Sequence, residues 1–396
     1  MRTGLIVSTA RLEDVAINYR SVGEGRDIVL VHGLATNHAF WQIGVLLPLA
    51  REHRVTIFDL RGHGYSGMPS GGYTSRDMAN DLHGLFDHLK IPRADLIGHS
   101  FGGVILLHFA IMYPERVASL TLVDTRLRIL QPTNFPADWP QGERVLKKLA
   151  ELGLSPPEGE KEAGLWLLEE LASPKWRKAR RKLEGTQLSI PFGSWNSSNR
   201  TAERWLKLLH NTTARQDFAN PAGLTVEKLH IIKQPTFLIC GEHSPTISTF
   251  TRLQEYLPHC KTAIVPGAGH FYPLTRPETF VDLVRQFLWE VGHQERRGHT
   301  RFSVQIPSVL RENLTQCSTG TTVNVSRKGL LLESPRQIAE GSILEVTLMG
   351  PEMQTIALKG KVVRMGKKDE NGTYRIGIEL FTEGERFHLW EKSLPY

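Results

Sequence analysis

The sequence predicts an α/β fold with a mostly parallel sheet, followed by a small six-stranded β-barrel. Three observations carry this. Ile28-Val29-Leu30-Val31 is an uninterrupted apolar run, the pattern of a strand buried on both faces of a parallel sheet. Asp95-Leu96-Ile97 leads through Gly98-His99-Ser100-Phe101-Gly102 into the helix-like Gly103-Val104-Ile105-Leu106-Leu107: strand, sharp turn, helix. Beyond about residue 292, helical periodicity gives way to short β-rich runs spaced as in a small barrel.

In chain order, Met1–Val7 has too short an apolar run for a secretion signal and reads as a first strand paired with Val15–Tyr19. His32-Gly33-Leu34 follows the Ile28–Val31 run directly. Leu120–Val123 is a strand ending at Asp124. The next stretch is helix-like: Glu143–Leu152 is apolar on one side and stopped by Gly153 and Pro156-Pro157, and Ala163–Leu171 and Thr201–Asn211 repeat the habit. Trp139, Trp166, Trp176, Trp195 and Trp205 fall here, so a hydrophobic pocket beneath is expected. Pro235–Cys240 is a strand leading to Gly241-Glu242-His243-Ser244. Ile264–Phe271 passes through a glycine-rich turn to His270, ahead of a helix over Pro277–Trp289. Barrel strands are expected at Phe302–Leu310, Thr321–Val325, Gly329–Glu333, Ile343–Met349, Thr355–Met365 and Thr373–Leu380, with a final helix at Glu383–Lys392.

Composition narrows the function classes. A length of 396 residues suits two or more units, and 40% hydrophobic residues can fill real cores. No apolar stretch is long enough to span a bilayer. The net charge of +7 is interspersed, which argues against nucleic acid as a partner. The one dense run, Lys175–Lys182, reads as a solvated helix face, with peripheral membrane contact as its functional alternative. Cys240, Cys260 and Cys317 are odd in number and scattered, which suits a reducing cytoplasm and neither a disulfide framework nor a metal site.

The Ser100 turn, His32-Gly33-Leu34 and the His270 loop together resemble the α/β-hydrolase superfamily, and the resemblance implies that fold with a helical cap. Ser100 would be the nucleophile, its Oγ exposed at the carboxyl edge of the sheet. Leu34 and Phe101 would lend backbone N–H groups to the oxyanion hole, and His270 would be the general base. Asp59–Ser66 resembles a family loop, with His63 as a structural hydrogen-bonding group. The acid departs from the pattern, because Ser244 stands where the family usually has Asp. Three readings are open: Asp124, Glu242, or an incomplete triad.

A second resemblance covers the C-terminal region. Arg297-Gly298-His299-Thr300-Arg301 and Asn324-Val325-Ser326-Arg327-Lys328-Gly329 match the Arg-x-x-x-Arg and Asp/Asn-x-Ser-x-x-Gly signature of the PilZ family, which binds cyclic di-GMP. The resemblance implies Arg297, Arg301, Asn324, Ser326 and Gly329 as ligand residues. Guanidinium forks suit phosphates and guanine edges, and a glycine permits close approach.

The expected organisation is an α/β-hydrolase domain over 1–292, with a cap at about 125–234. A PilZ-like domain over 293–396 would follow, its linker motif at 293–301. The expected activity is a bacterial cytoplasmic serine hydrolase acting on a small hydrophobic ester or related acyl bond. It would need no catalytic cofactor or metal, and cyclic di-GMP would be its effector. A degenerate hydrolase fold acting as a cyclic di-GMP-dependent binding module is the alternative.

Overall fold

The computed structural model describes residues 7–135, 138–158, 160, 162–176, 196–296, 306–312, 317–326, 329–349, 355–369 and 372–381. The chain forms two compact units, Met1–Leu288 and Trp289–Tyr396.

The first unit is built on eight strands: β1 (Ser8–Arg11), β2 (Ala16–Val22), β3 (Asp27–Val31), β4 (Arg54–Phe58), β5 (Ala94–His99), β6 (Val117–Val123), β7 (Thr236–Gly241) and β8 (Cys260–Val265). Their spatial order is β1-β2-β4-β3-β5-β6-β7-β8. The β1–β2 and β2–β4 pairs are antiparallel, and all others are parallel. Every residue of β3, β5, β6 and β7 is buried, as continuous apolar runs require when both faces are covered. On one face the helices Ser75–Leu89 and Phe101–Met112 meet through Phe86 and Phe109 (5.1 Å) over Val29, Val31, Leu96 and Leu120. On the other, Phe237 packs on Phe287 (5.2 Å) and Trp41 on Phe280 (5.7 Å). The expected first strand shifts: the described strand is Ser8–Arg11, paired with Ala16–Tyr19, and residues 1–6 lie outside the described residues.

Between β6 and β7 come the helices Gly142–Glu151, Ala163–Ala172 and Asn196–Asn211. They match the helical stretches read from sequence.

The second unit holds a closed barrel ordered β10-β11-β14-β13-β12-β9, all neighbours antiparallel. Its strands are β9 (Pro307–Arg311), β10 (Cys317–Ser326), β11 (Gly329–Ser334), β12 (Ile343–Met349), β13 (Thr355–Lys368) and β14 (Tyr374–Leu380). Alternate residues such as Leu344, Val346 and Leu348 turn inward to fill it. The six expected strands are there, the first beginning at Pro307. The expected helix at Glu383–Lys392 lies outside the described residues.

Candidate active site

Parallel pairing brings the carboxyl ends of β3, β5, β6 and β7 to one edge, with His32, Ser100, Asp124 and Gly241 just at or beyond them. Ser100 sits at φ 56° and ψ −120°, a conformation few non-glycine residues adopt. The turn is tight enough that its glycines are obligatory. A Cβ on Gly98 would lie 2.7 Å from the Gly102 carbonyl, and one on Gly102 would lie 2.5 Å from the Val31 oxygen. Ser100 N donates to Val123 O (2.8 Å), tying the turn to β6.

The loop after β3 is braced from below. His32 Nε2 accepts from Leu60 N (3.0 Å), so its Nδ1 carries the proton and donates to Gly33 O (2.7 Å). Burial drives the His32 pKa down to about 3, keeping the ring neutral. His63 Nε2 accepts from Ala35 N (3.3 Å) and its Nδ1 donates to Arg61 O (3.0 Å), so this histidine is a loop brace. Neither the Leu34 nor the Phe101 N–H is spent on a hydrogen bond among the described residues. Both residues line the cavity that Ser100 and His270 face.

His270 follows β8. Its carbonyl accepts from His99 Nε2 (2.9 Å), which anchors the loop to the residue before Ser100. The ring nitrogen Nδ1 is buried and unpartnered. Burial, with neighbouring His99 second, pushes the His270 pKa well below 6.5. Asp124 lies beneath. Its Oδ1 accepts from Gly241 N (3.1 Å), Cys240 Sγ (3.3 Å) and Thr246 Oγ1 (3.3 Å), while Oδ2 is buried and unpartnered. Burial raises the Asp124 pKa from 3.8 to about 7, against the pull of Ser244, Gly241, Cys240 and Thr246. One ring nitrogen each of His99 and His270 and one carboxylate oxygen of Asp124 lie within 4.8 Å of one another.

The competing carboxylate is engaged elsewhere. Glu242 Oε2 accepts from Gly267 N (2.6 Å) at an exposed turn. Ser244, fully buried, is hydrogen-bonded to Thr246 Oγ1 (3.0 Å). The structure thus gathers Ser100, His270, Asp124, Leu34 and Phe101 at one end of the sheet and leaves Glu242 outside. Thr246 and Cys240, the donors that hold Asp124, carry no motif in the sequence.

Above the site is a cavity of about 240 Å³. Its walls are largely apolar, including Ile129, Val145, Leu165, Leu168, Leu224 and Phe271. Of the expected tryptophans, Trp139 lines it. Trp205 stacks on Phe218 (5.7 Å) and is buried, and Trp166 and Trp176 pack against the core. Trp195 lies outside the described residues, as does the basic run beyond Trp176. Among the described residues no helix is long and apolar enough to cross a membrane.

In the second unit, Arg297 and Arg301 lie outside the described residues. Asn324 follows a register shift in β10, and Ser326 pairs with Gly329 across the β10–β11 turn. A Cβ on Gly329 would meet Ile378 O at 2.8 Å, so the neighbouring strand already demands this glycine.

Residues 28–277 match the alpha/beta hydrolase fold family, and residues 295–388 match the PilZ domain. A Bacillus subtilis protein provisionally named 2-succinyl-6-hydroxy-2,4-cyclohexadiene-1-carboxylate synthase is 28% identical over 288 residues, 69% of this chain and 96% of its own. A protein of Azorhizobium caulinodans provisionally named carbamate hydrolase RutD is 25% identical over 70% of this chain and 97% of its own. The solved structure of Est816, described as an N-acyl homoserine lactone degrading enzyme, superposes with a TM-score of 0.51 at 25% identity, covering 71% of this chain and all of its own. The matched span, the strand order and the strained serine turn agree: the chain belongs to the alpha/beta hydrolase fold family and carries a PilZ domain after it.

Proposed function

We propose that this protein is a serine hydrolase of carboxylic esters or related acyl bonds, controlled by cyclic di-GMP. Ser100 Oγ attacks the acyl carbon while His270 takes its proton. The carbonyl oxygen becomes an oxyanion held by the Leu34 and Phe101 N–H groups. The tetrahedral intermediate collapses, the leaving group takes the proton from His270, and an acyl-Ser100 ester remains. Water, deprotonated by His270, attacks that ester, and Ser100 recovers its proton as the carboxylic acid leaves. Asp124 orients His270 and balances the imidazolium charge.

One observation carries the assignment of the acid. Asp124 Oδ2 and His270 Nδ1 are both buried and unpartnered, and the two side chains belong to one cluster of donor atoms. A buried carboxylate oxygen without a donor is costly, and a hydrogen bond formed by the His270 ring to Asp124 would give each group the partner it lacks. The relatives named for carbamate hydrolysis and lactone degradation also act on acyl bonds.

Arg297, Arg301, Asn324, Ser326 and Gly329 form the proposed effector site, supported by the PilZ match over 295–388. The test is the initial rate on a short-chain p-nitrophenyl ester, with and without cyclic di-GMP and with Ser100→Ala as blank, beside labelling by a fluorophosphonate. Ser100-dependent turnover and labelling are expected. Labelling absent from the wild type would move the reading to a binding module.

A further inference from the structure

The cavity over Ser100 is lined largely by apolar side chains, and its charged residues include Arg126, Arg128 and Glu162. Arg126 and Arg128, just past Asp124, face Glu162 at the start of the helix Ala163–Ala172, and all three line the cavity. Arg126 is fully committed. Its Nη1 and Nη2 grip Glu162 Oε2 and Oε1 (2.7 and 2.9 Å), and its Nε and Nη2 donate to Gln131 O (3.2 and 2.9 Å). Nη2 also reaches Pro132 O (3.1 Å). Arg128 is not. Among the described residues its one ion-pair contact is Nη2 to Glu162 Oε2 (3.0 Å), an oxygen already taken by Arg126. Two guanidinium groups therefore share one carboxylate oxygen, and the partly buried Arg128 side chain, 28% exposed, keeps donors to spare. Glu160, the other nearby acid, turns an oxygen to Glu162 N (2.7 Å). Burial lowers the Arg128 pKa, with Arg126 adding to it, against the pull of Glu162 and Glu160. Asn134, also in the lining, spends its amide oxygen on Trp139 Nε1 (2.8 Å), which leaves its NH₂ as a further donor.

A guanidinium with unused N–H donors on the wall of a substrate cavity is satisfied by an anion that enters with the substrate. Resting on the hydrolase reading above, we propose that the natural substrate is an ester or related acyl compound with a carboxylate remote from the scissile bond, and that Arg128 reads that carboxylate. The planar fork of Arg128, with donors left over, matches a carboxylate. The apolar lining takes the apolar part of such a molecule.

Paired substrates test this. The p-nitrophenyl monoester of glutaric acid is compared with p-nitrophenyl pentanoate, which places the charge on the acyl side. A 4-(butyryloxy)benzoate is compared with phenyl butyrate, which places it on the leaving side. In one pair the charged member is expected to have the higher kcat/KM, chiefly through KM. Arg128→Met is expected to lower that charged-to-neutral ratio at least tenfold, and Arg128→Lys to restore part of it. Neutral-ester turnover with no charge preference and no change of ratio in Arg128→Met would overturn the proposal and leave the hydrolase reading standing. Calorimetry with glutarate gives a second readout that does not depend on turnover. Binding at least tenfold weaker in Arg128→Met is expected, and no difference between the two proteins would overturn the proposal even if no ester is hydrolysed.

Discussion

Asp124 concentrates the chemistry and the energetics of the site in one carboxyl group. Held by Gly241 N, Cys240 and Thr246, it is still so buried that its pKa rises to about 7. As the proposed acid it must be ionised to support an imidazolium. kcat/KM is therefore expected to rise from pH 5 to pH 8 along a limb with a midpoint near 7. Asp124→Asn should cost on the order of 10³–10⁴-fold in kcat and erase that limb; Glu242→Gln should keep both. Stability runs the other way. The folded protein binds a proton at Asp124 between pH 3.8 and about 7 where the unfolded chain does not, so this group's contribution to stability falls as pH rises through that window. Asp124→Asn is accordingly expected to be more stable than the wild type at pH 8, by on the order of 2–4 kcal/mol, and to lose that advantage near pH 4. Melting temperatures at the two pH values measure it. Ser100 and His270 were legible because each sits in a local motif. The choice among Asp124, Glu242 and no acid stayed open, because the bond from Gly241 that holds Asp124 comes through sheet pairing, 117 residues away.

At the scale of elements, the serine turn works because the helix Phe101–Met112 comes down directly on β3. Gly102→Ala would place a methyl group 2.5 Å from the Val31 oxygen, a backbone atom that moves only with the strand. A loss of about 1–3 kcal/mol is expected by thermal or denaturant unfolding, together with slower fluorophosphonate labelling of Ser100, since the turn itself is displaced. Strands buried on both faces and barrel strands of strict alternation were readable because their patterns are local. The cavity lining was less so. Tryptophan content pointed to an apolar pocket under the helices after β6; Trp139 lines it, while Trp205 stacks on Phe218 in the core. Side-chain orientation on a short helix depends on neighbours that no local window contains.

For the molecule as a whole, the two units carry separable tasks in the proposed function. Replacing Arg297 and Arg301 together by Ala is expected to abolish any change of rate on adding cyclic di-GMP while basal ester hydrolysis continues. In the wild type the change is expected to be several-fold, a coupling of about 1–3 kcal/mol. Rates with and without nucleotide in the two proteins decide it. The division into two units was legible from the change of periodicity near residue 292, because helix-rich and strand-rich segments differ over tens of residues.

The two sheets also end differently. The barrel pairs β9 with β10 and so closes on itself, leaving no strand in it with a free side. Among the described residues the eight-stranded sheet ends at β1 and β8, and along β8 the exposed residues include Lys261 and Thr262. A free strand edge can recruit a strand from another chain, and a charged residue at its centre discourages this. Self-association of partly unfolded protein should therefore start from the β8 side or the β1 side of the hydrolase sheet. The barrel, with no edge to offer, would be carried into such aggregates without templating them.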